Sequence, residues 1–207
     1  MTKNWLWVDT ETTGLDPTMG MILEVGLIVT TTELDEIART SVVIHRDSKH
    51  VNRFLDHDWT GEVRSMHQNS GLLSQVEAST IGPDAAEKYL IDWIDSVERS
   101  TVGEQDDRTG EAVEREVGRV RGGPMCGSTV AFDRAWLEAW MPGLAACWHY
   151  RNVDVSGLRT VAREWCAPAV IDGLPHWRGM HRVLPDLEDS ITLARYLRRT
   201  MGKGDGA

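Results

Sequence analysis

The chain has 207 residues and a formal net charge of −10, from 32 acids against 22 bases. That length favours one domain with a large core on a single sheet, and the acidity excludes a protein whose whole surface coats nucleic acid. Three cysteines without CxxC spacing (Cys126, Cys147, Cys166) exclude a disulfide framework or zinc site and read as reduced, buried thiols of a cytoplasmic protein.

Trp5–Val8 is a short apolar run that stops at Asp9, which predicts a buried strand ending at an acid. Thr13-Gly14-Leu15-Asp16-Pro17 is turn chemistry. Ile22–Thr30 (ILEVGLIVT) is rich in β-branched residues and predicts a second strand; Ser41–His45 predicts a third, after a turn around Glu33–Glu36. Three strands at this spacing suggest an antiparallel meander. Gly82–Val97 then places Ala86, Leu90, Trp93, Ile94 and Val97 on one helical face. Residues 98–123 break the pattern with Gly, Arg and acids and predict a mobile insertion, in which Val113, Val117 and Val120 would form one helical stripe.

Pro124–Gly127 predicts a short strand and Ala131–Met141 a Trp-rich helix. Asn152–Val155 predicts another strand, and Asp154 or Ser156 caps the helix Gly157–Trp165. After a linker over Cys166–Gly179, a last helix runs from about Asp186 to Arg199, with acids at its start and arginines at its end complementing the helix dipole. The order βββα then βαβα fits a mixed sheet flanked by helices. Residues 1–200 read as a single domain and 201–207 as a flexible tail. No apolar run approaches the roughly 20 residues of a membrane span, and MTKNWLWVDTE turns acidic too soon for a signal peptide.

Charge and aromatics are unevenly used. Residues 125–207 carry +1 and the rest −11, and nine tryptophans stand against two phenylalanines. Trp93, Trp136, Trp140 and Trp165 fall on apolar helical faces and predict core or interface rather than base platforms. His45, His50, His57 and His176 have no motif context and read as surface or packing residues.

Asp9 and Glu11 sit at i and i+2 where the first strand ends, so alternation puts both on one face at an exposed lip. A lone D-x-E is most often a solvated turn, but two further clusters accompany it. Asp133 opens the helix after the Cys126–Thr129 loop, and His181 precedes Asp186 by five residues at the entrance of the last helix. Acids gathered at element ends are an inventory for hard divalent cations. Two such ions roughly 4 Å apart stabilise attacking and leaving oxygens in phosphodiester hydrolysis. A histidine titrating near neutrality suits proton abstraction from water.

Asp9-Thr10-Glu11-Thr12-Thr13-Gly14-Leu15 resembles the first motif of the DEDDh 3′→5′ exonucleases, an RNase H-like superfamily; Ser128–Asp133 resembles the second and His181-x4-Asp186 the third. Asp58-Trp59, Met66–Leu72, Val76–Thr80, His149–Ser156 and His181–Ile191 resemble the more selective segments of the oligoribonucleases, so the likeness spans roughly residues 5–199, the insertion excepted. It departs at Cys126-Gly127-Ser128, where Gly-Asn-Ser is usual, at Pro185, where an acid is usual, and at the insertion.

The resemblance implies an RNase H-like mixed five-stranded sheet flanked by α-helices. It implies that Asp9, Glu11, Asp133 and Asp186 bind two Mg²⁺ or Mn²⁺ ions, with His181 as general base. Leu15 would wedge between bases, Trp59 would contact a terminal base, and His67 would line the neighbouring pocket. Ser128, Arg151 and Ser156 would hold the 5′ phosphate of a dinucleotide, a cap that blocks a longer chain. Tyr150 would reach across a homodimer into the partner's site. Plainer roles compete with these. Trp59 anchors a loop, Tyr150 is a surface tyrosine, Arg151 pairs with an acid, and Ser156 is a helix cap.

The implied activity is hydrolysis of short RNAs, dinucleotides preferred, to 5′-mononucleotides by a cytoplasmic homodimer with no membrane association. The alternatives are a DEDDh exonuclease on longer single-stranded DNA or RNA, or a silent binding module on the same fold.

Overall fold

The computed structural model describes residues 4–57, 60–105 and 112–201. In chain order, β1 (Trp5–Thr12), β2 (Ile22–Thr30) and β3 (Glu36–Val43) lead to three short helices, α1 (Ser48–Leu55), α2 (Glu62–Asn69) and α3 (Leu72–Ala78). Next come α4 (Pro83–Glu98), the strands β4 (Thr101–Gln105) and β5 (Ala112–Glu116), and β6 (Met125–Gly127). The chain closes with α5 (Val130–Trp140), α6 (Pro142–Ala145), β7 (Asn152–Asp154), α7 (Val155–Trp165), α8 (Pro168–Asp172) and α9 (Val183–Met201). Trp59 and residues 202–207, two subjects of the sequence reading, lie outside the described residues.

The main sheet has the order β3-β2-β1-β6-β7. The first three strands are antiparallel, and β6 and β7 add in parallel. This is the mixed five-stranded sheet flanked by helices that the element order predicted. Both faces of its centre are covered, which is why all nine residues of β2 are buried and its sequence is a continuous apolar run rather than an alternating one. Leu6, Val8, Val25, Leu27 and Val29 face α4 and α5. Trp7 and Ile28 face the opposite layer, where Val155 and Ala162 of α7 meet Leu187 and Ile191 of α9.

Several expectations are corrected. β3 begins five residues before Ser41, because an edge strand half exposed along its length needs only the β2 ladder, which runs back to Thr30 opposite Glu36. The helices α1 to α3 escaped notice because each spans about two turns and buries little: Val51 and Leu55 in α1, His67 in α2, Leu72 and Val76 in α3. Within 98–123 the chain pairs β4 with β5 as an antiparallel hairpin, so Val113 lies in a strand and the expected helical stripe does not form. Three valines over eight residues are too short a window to separate the two periods. Val117 and Val120 are buried, and the returning chain is pinned to the start of β1 through Asn4, which donates its backbone N–H to Arg119 O at 3.1 Å and its side-chain amide to Val117 O.

Trp136 is fully buried, but Trp165 is 81% exposed, because the face of α7 that meets α9 is built from Val155 and Ala162. Cys126 and Cys147 are buried free thiols, and Cys166 is half-buried. Among the described residues no helix is long and apolar enough to cross a membrane.

Candidate active site

Alternation along β1 decides which helix each residue meets. Asp9 and Glu11 share the face of Trp7, toward α9, whereas Thr10 turns toward α5. Asp186, in the first turn of α9, joins the first two. One oxygen each of Asp9, Glu11 and Asp186 lies within 4.8 Å of the others. Asp133 comes from the opposite layer. Its Oδ1 accepts from Thr10 N at 2.9 Å and Thr10 Oγ1 at 2.8 Å, which fastens α5 to the strand between the two β1 acids.

The cluster is electrostatically strained. Burial, then the charges of Asp133, Glu11 and Asp186, pushes the Asp9 carboxyl well above its ordinary range. Burial, then Asp186 and Glu24, pushes Glu11 up to about 8, against the opposing pull of Arg182. Burial raises Asp133 to about 7 although the Thr10 hydrogen bonds oppose it, and burial also raises Asp186. Asp186 Oδ1 is buried with no hydrogen-bond partner. An orphaned carboxylate oxygen beside two other crowded carboxylates is an all-oxygen donor set that fits a hard divalent cation.

Two tight features hold these acids in place. Gly26 pairs with Asp9, and Glu24 with Glu11, across β1–β2. Val183, the first residue of α9, packs against the bare face of Gly26, so the helix starts close to the sheet. Asp154 caps both helices of the other flank. Its Oδ1 accepts from Ser156 N at 2.9 Å, Gly157 N at 3.2 Å and Thr129 N at 3.1 Å, and its Oδ2 accepts from Val130 N at 3.1 Å. Burial alone would raise Asp154, but the Ser156 hydroxyl together with these backbone bonds outweighs it and holds the carboxyl below its usual range. They also hold Thr129 at φ +53°, a strained position for a β-branched residue, and so set the start of α5 and with it Asp133.

Of the other predicted site residues, all but Trp59 are described. His181 is exposed, two residues before α9, with φ +51°. Leu15 is 84% exposed on the loop after β1. His67 is fully buried behind Glu11: its Nε2 meets Thr12 O at 2.7 Å, which makes Nε2 the protonated nitrogen, and its Nδ1 stands 3.8 Å from Glu11 Oε2. Burial holds its imidazole below the ordinary pKa.

Ser128 and Ser156 both border the Thr129 turn. Ser128 accepts from Ser190 Oγ at 3.2 Å, and Ser156 donates to Asp154 Oδ1 at 2.6 Å. Asp154 rather than Ser156 is the cap of α7. Tyr150 is 75% exposed, with Arg151 over its ring at 5.8 Å, and among the described residues Arg151 forms no ion pair. Gly127, the departure from Gly-Asn-Ser, fits its place: a Cβ there would stand 2.8 Å from Val8 O on the neighbouring strand.

The sequence reading missed Glu24, Gly26, Thr10 and Arg182. Two of these had a signal, an acid and a glycine inside the apolar run of β2, which mark a site where burial alone is not the purpose. Glu24 is buried and forked by Arg182, at 2.9 Å to Oε2 and 2.8 Å to Oε1.

No family model matches the chain. An oligoribonuclease of Hahella chejuensis is 35% identical over 195 residues, covering 94% of this chain and 93% of that protein. An oligoribonuclease of Chromobacterium violaceum is 34% identical over 199 residues, covering 95% and 94%. Among solved structures, exonuclease I of E. coli in complex with a dT13 oligonucleotide aligns with a TM-score of 0.60 at 13% identity, over 97% of this chain and 42% of that one. Exonuclease I of Methylocaldum szegediense aligns at 0.57 and 16% identity, over 97% and 41%. This chain thus spans about two fifths of those exonucleases, and the likeness to them is one of fold, the RNase H-like exonuclease sheet. At one third identity along nearly the full length of both chains, the chain belongs to the oligoribonuclease family.

Proposed function

We propose that the chain is a divalent-metal-dependent 3′→5′ exoribonuclease that hydrolyses short oligoribonucleotides, dinucleotides first, to 5′-mononucleotides. One observation carries the reading: Asp9, Glu11 and Asp186 converge within 4.8 Å, and Asp186 Oδ1 is buried and unpartnered. Asp9, Glu11, Asp133 and Asp186 would hold two Mg²⁺ or Mn²⁺ ions. When bound, such ions supply charge for the attacking and leaving oxygens of phosphodiester hydrolysis.

The chain's own residues do the rest. His181 takes one proton of the attacking water, whose oxygen bonds to phosphorus as the P–O3′ bond breaks, and the departing 3′ oxygen takes a proton from solvent to leave as a hydroxyl. Arg151, which lies over the Tyr150 ring and has no carboxylate partner among the described residues, would turn its guanidinium fork to a terminal phosphate, and the Ser128 and Ser156 hydroxyls would complete the cap. Leu15 and Trp59 are assigned to the bases, and His67, fully buried behind Glu11, to the wall of the neighbouring pocket.

We assign residues 1–200 to one domain, with 98–123 as an excursion from it, and place the protein in the cytoplasm as a homodimer in which Tyr150 reaches the partner's site. The decisive experiment is a length series of 5′-labelled RNAs from two to about ten nucleotides, with matched DNAs, in Mg²⁺ and in Mn²⁺. A rate highest at two nucleotides supports the proposal. A rate that rises with length replaces it with an exonuclease on longer single strands, and no divalent-dependent hydrolysis leaves a binding module.

A further inference from the structure

His181 lies outside the described helices and strands, yet its place decides whether it can take a proton. It is exposed, its backbone lies in the left-handed region at φ +51°, and Gly179 two residues earlier is at φ +63°. A non-glycine residue is strained there and persists only where its surroundings over-determine it. Two arginines supply that constraint, one on each side.

Arg182, the next residue, forks onto Glu24 of β2 at 2.9 and 2.8 Å and donates Nη2 to Gln75 Oε1 of α3 at 2.8 Å. Arg178, three residues earlier, donates its backbone N–H to Asp189 Oδ2 at 2.8 Å and its Nε to Asp189 Oδ1 at 2.5 Å. Its Nη2 meets Pro185 O at 2.7 Å and Glu188 Oε2 at 3.0 Å. The loop is therefore tied downstream to the sheet and upstream to the same helix turn that holds Asp186. Buried ion pairs such as Arg182–Glu24 are weak contributors to stability, because desolvation offsets their attraction. Their bidentate geometry fixes orientation instead.

We propose that the Arg182–Glu24 and Arg178–Asp189 forks are a pair of anchors that set the position of His181 relative to Asp186, making these four residues positioning residues of the reaction. The inference rests on the reading of His181 as the proton acceptor. Arg182 and Glu24 hold the side that faces Glu11. Arg178 and Asp189 hold the side that faces the body of α9.

The test uses the full chain, a dinucleotide RNA and Mn²⁺. Arg182→Lys keeps the charge and loses the fork, and Arg178→Gln changes a side chain 46% exposed, so the core is left intact. Each is expected to lower kcat about 10- to 100-fold, as small misplacements of a reacting group do. KM and the affinity for Mn²⁺, read by calorimetry, stay within about threefold of wild type. In a His181→Ala background the same substitutions are expected to lower the residual rate by less than about threefold, because the coupling is with His181.

Full losses in that background overturn the proposal. So does a fall in Mn²⁺ affinity that matches the rate loss, which would assign the forks to the carboxylate cluster. Failure of the parent reading looks different: His181→Ala alone would keep nearly the wild-type rate.

Discussion

Gly26 stands opposite Asp9 in the β1–β2 ladder, and a methyl group on Gly26 would meet Val183 Cγ2 at 2.6 Å. The missing side chain is what lets α9 begin against the sheet, within reach of the acid that Gly26 faces. Gly26→Ala is expected to lift the start of α9, carrying Asp186 from Asp9. Overpacking of this kind costs about 1–3 kcal/mol, a fall in Tm of about 3–10 °C for a chain of this size. Calorimetry should also show Mn²⁺ affinity falling. Gly157→Ala, at a position with open space, is the control and should leave both nearly unchanged.

Crowded carboxylates make the metal-free fold sensitive to pH. Glu11 at about 8 and Asp133 at about 7 lie above their unfolded values, with Asp9 and Asp186 also raised. A raised carboxyl means the folded state binds more protons than the unfolded state. Its stabilising effect is complete below the unfolded pKa and is lost as pH rises through the folded one. The Tm of metal-stripped protein is therefore expected to fall by several degrees between pH 5 and pH 8.5. Added Mg²⁺ or Mn²⁺ should restore more at pH 8.5 than at pH 5. A Tm that rises over this window would contradict the arrangement.

Glu11→Gln separates stability from function. It removes a carboxyl that burial and the charges of Asp186 and Glu24 oppose, so the metal-free Tm at pH 8 is expected to rise by a few degrees. Divalent-dependent hydrolysis should fall by about 10³-fold or more, as for loss of a group that stabilises developing charge. Thermal scans and initial rates on one preparation check both signs.

One carboxylate joins two helix starts. Asp154 accepts from the first turns of both α5 and α7. Loss of one ordinary cap costs about 0.5–2 kcal/mol, so Asp154→Ala is expected to cost about 2–3 kcal/mol in urea unfolding, with Asp154→Asn milder. Removing Ser156 Oγ, which leaves the Asp154 carboxylate in place, should cost under about 1 kcal/mol.

Arg151 is the cheapest test of substrate length. Arg151→Ala should lower dinucleotide cleavage about 10- to 100-fold, the value of a charge-assisted phosphate contact, and lower cleavage of a ten-nucleotide RNA far less. Equal losses on both substrates would remove the phosphate cap. Complementation tests the proposed homodimer. Mixed after denaturation, inactive Asp9→Ala and Tyr150→Ala chains should recover about a quarter of the wild-type rate, because only mixed dimers hold one complete site. No recovery would confine Tyr150 to its own chain.

Some of this was legible in one dimension. The Trp5–Val8 run followed by Asp-x-Glu determined a buried strand with two acids on one face, because alternation is a local property of extended backbone. The apolar period of Gly82–Val97 and the charged ends of the last helix determined α4 and α9 in the same way. The short helices α1 to α3 and the β4–β5 hairpin were not legible: packing or strand pairing stabilises them, and their local patterns are too short to show a period.

The division at the site is sharper. By itself, the sequence determined the acids and their order, the His181–Asp186 spacing and a resemblance that covers nearly the whole chain. Only the tertiary structure decided their company. Asp186 meets Asp9 and Glu11, Asp133 is fastened to Thr10, His67 stands behind Glu11, and Glu24 is neutralised by Arg182, 158 residues away. Charges and hydrogen bonds act through space over a few ångströms, and residues 158 apart become neighbours only when the sheet registers β1 against β2 and a missing side chain at Gly26 lets α9 come down upon them.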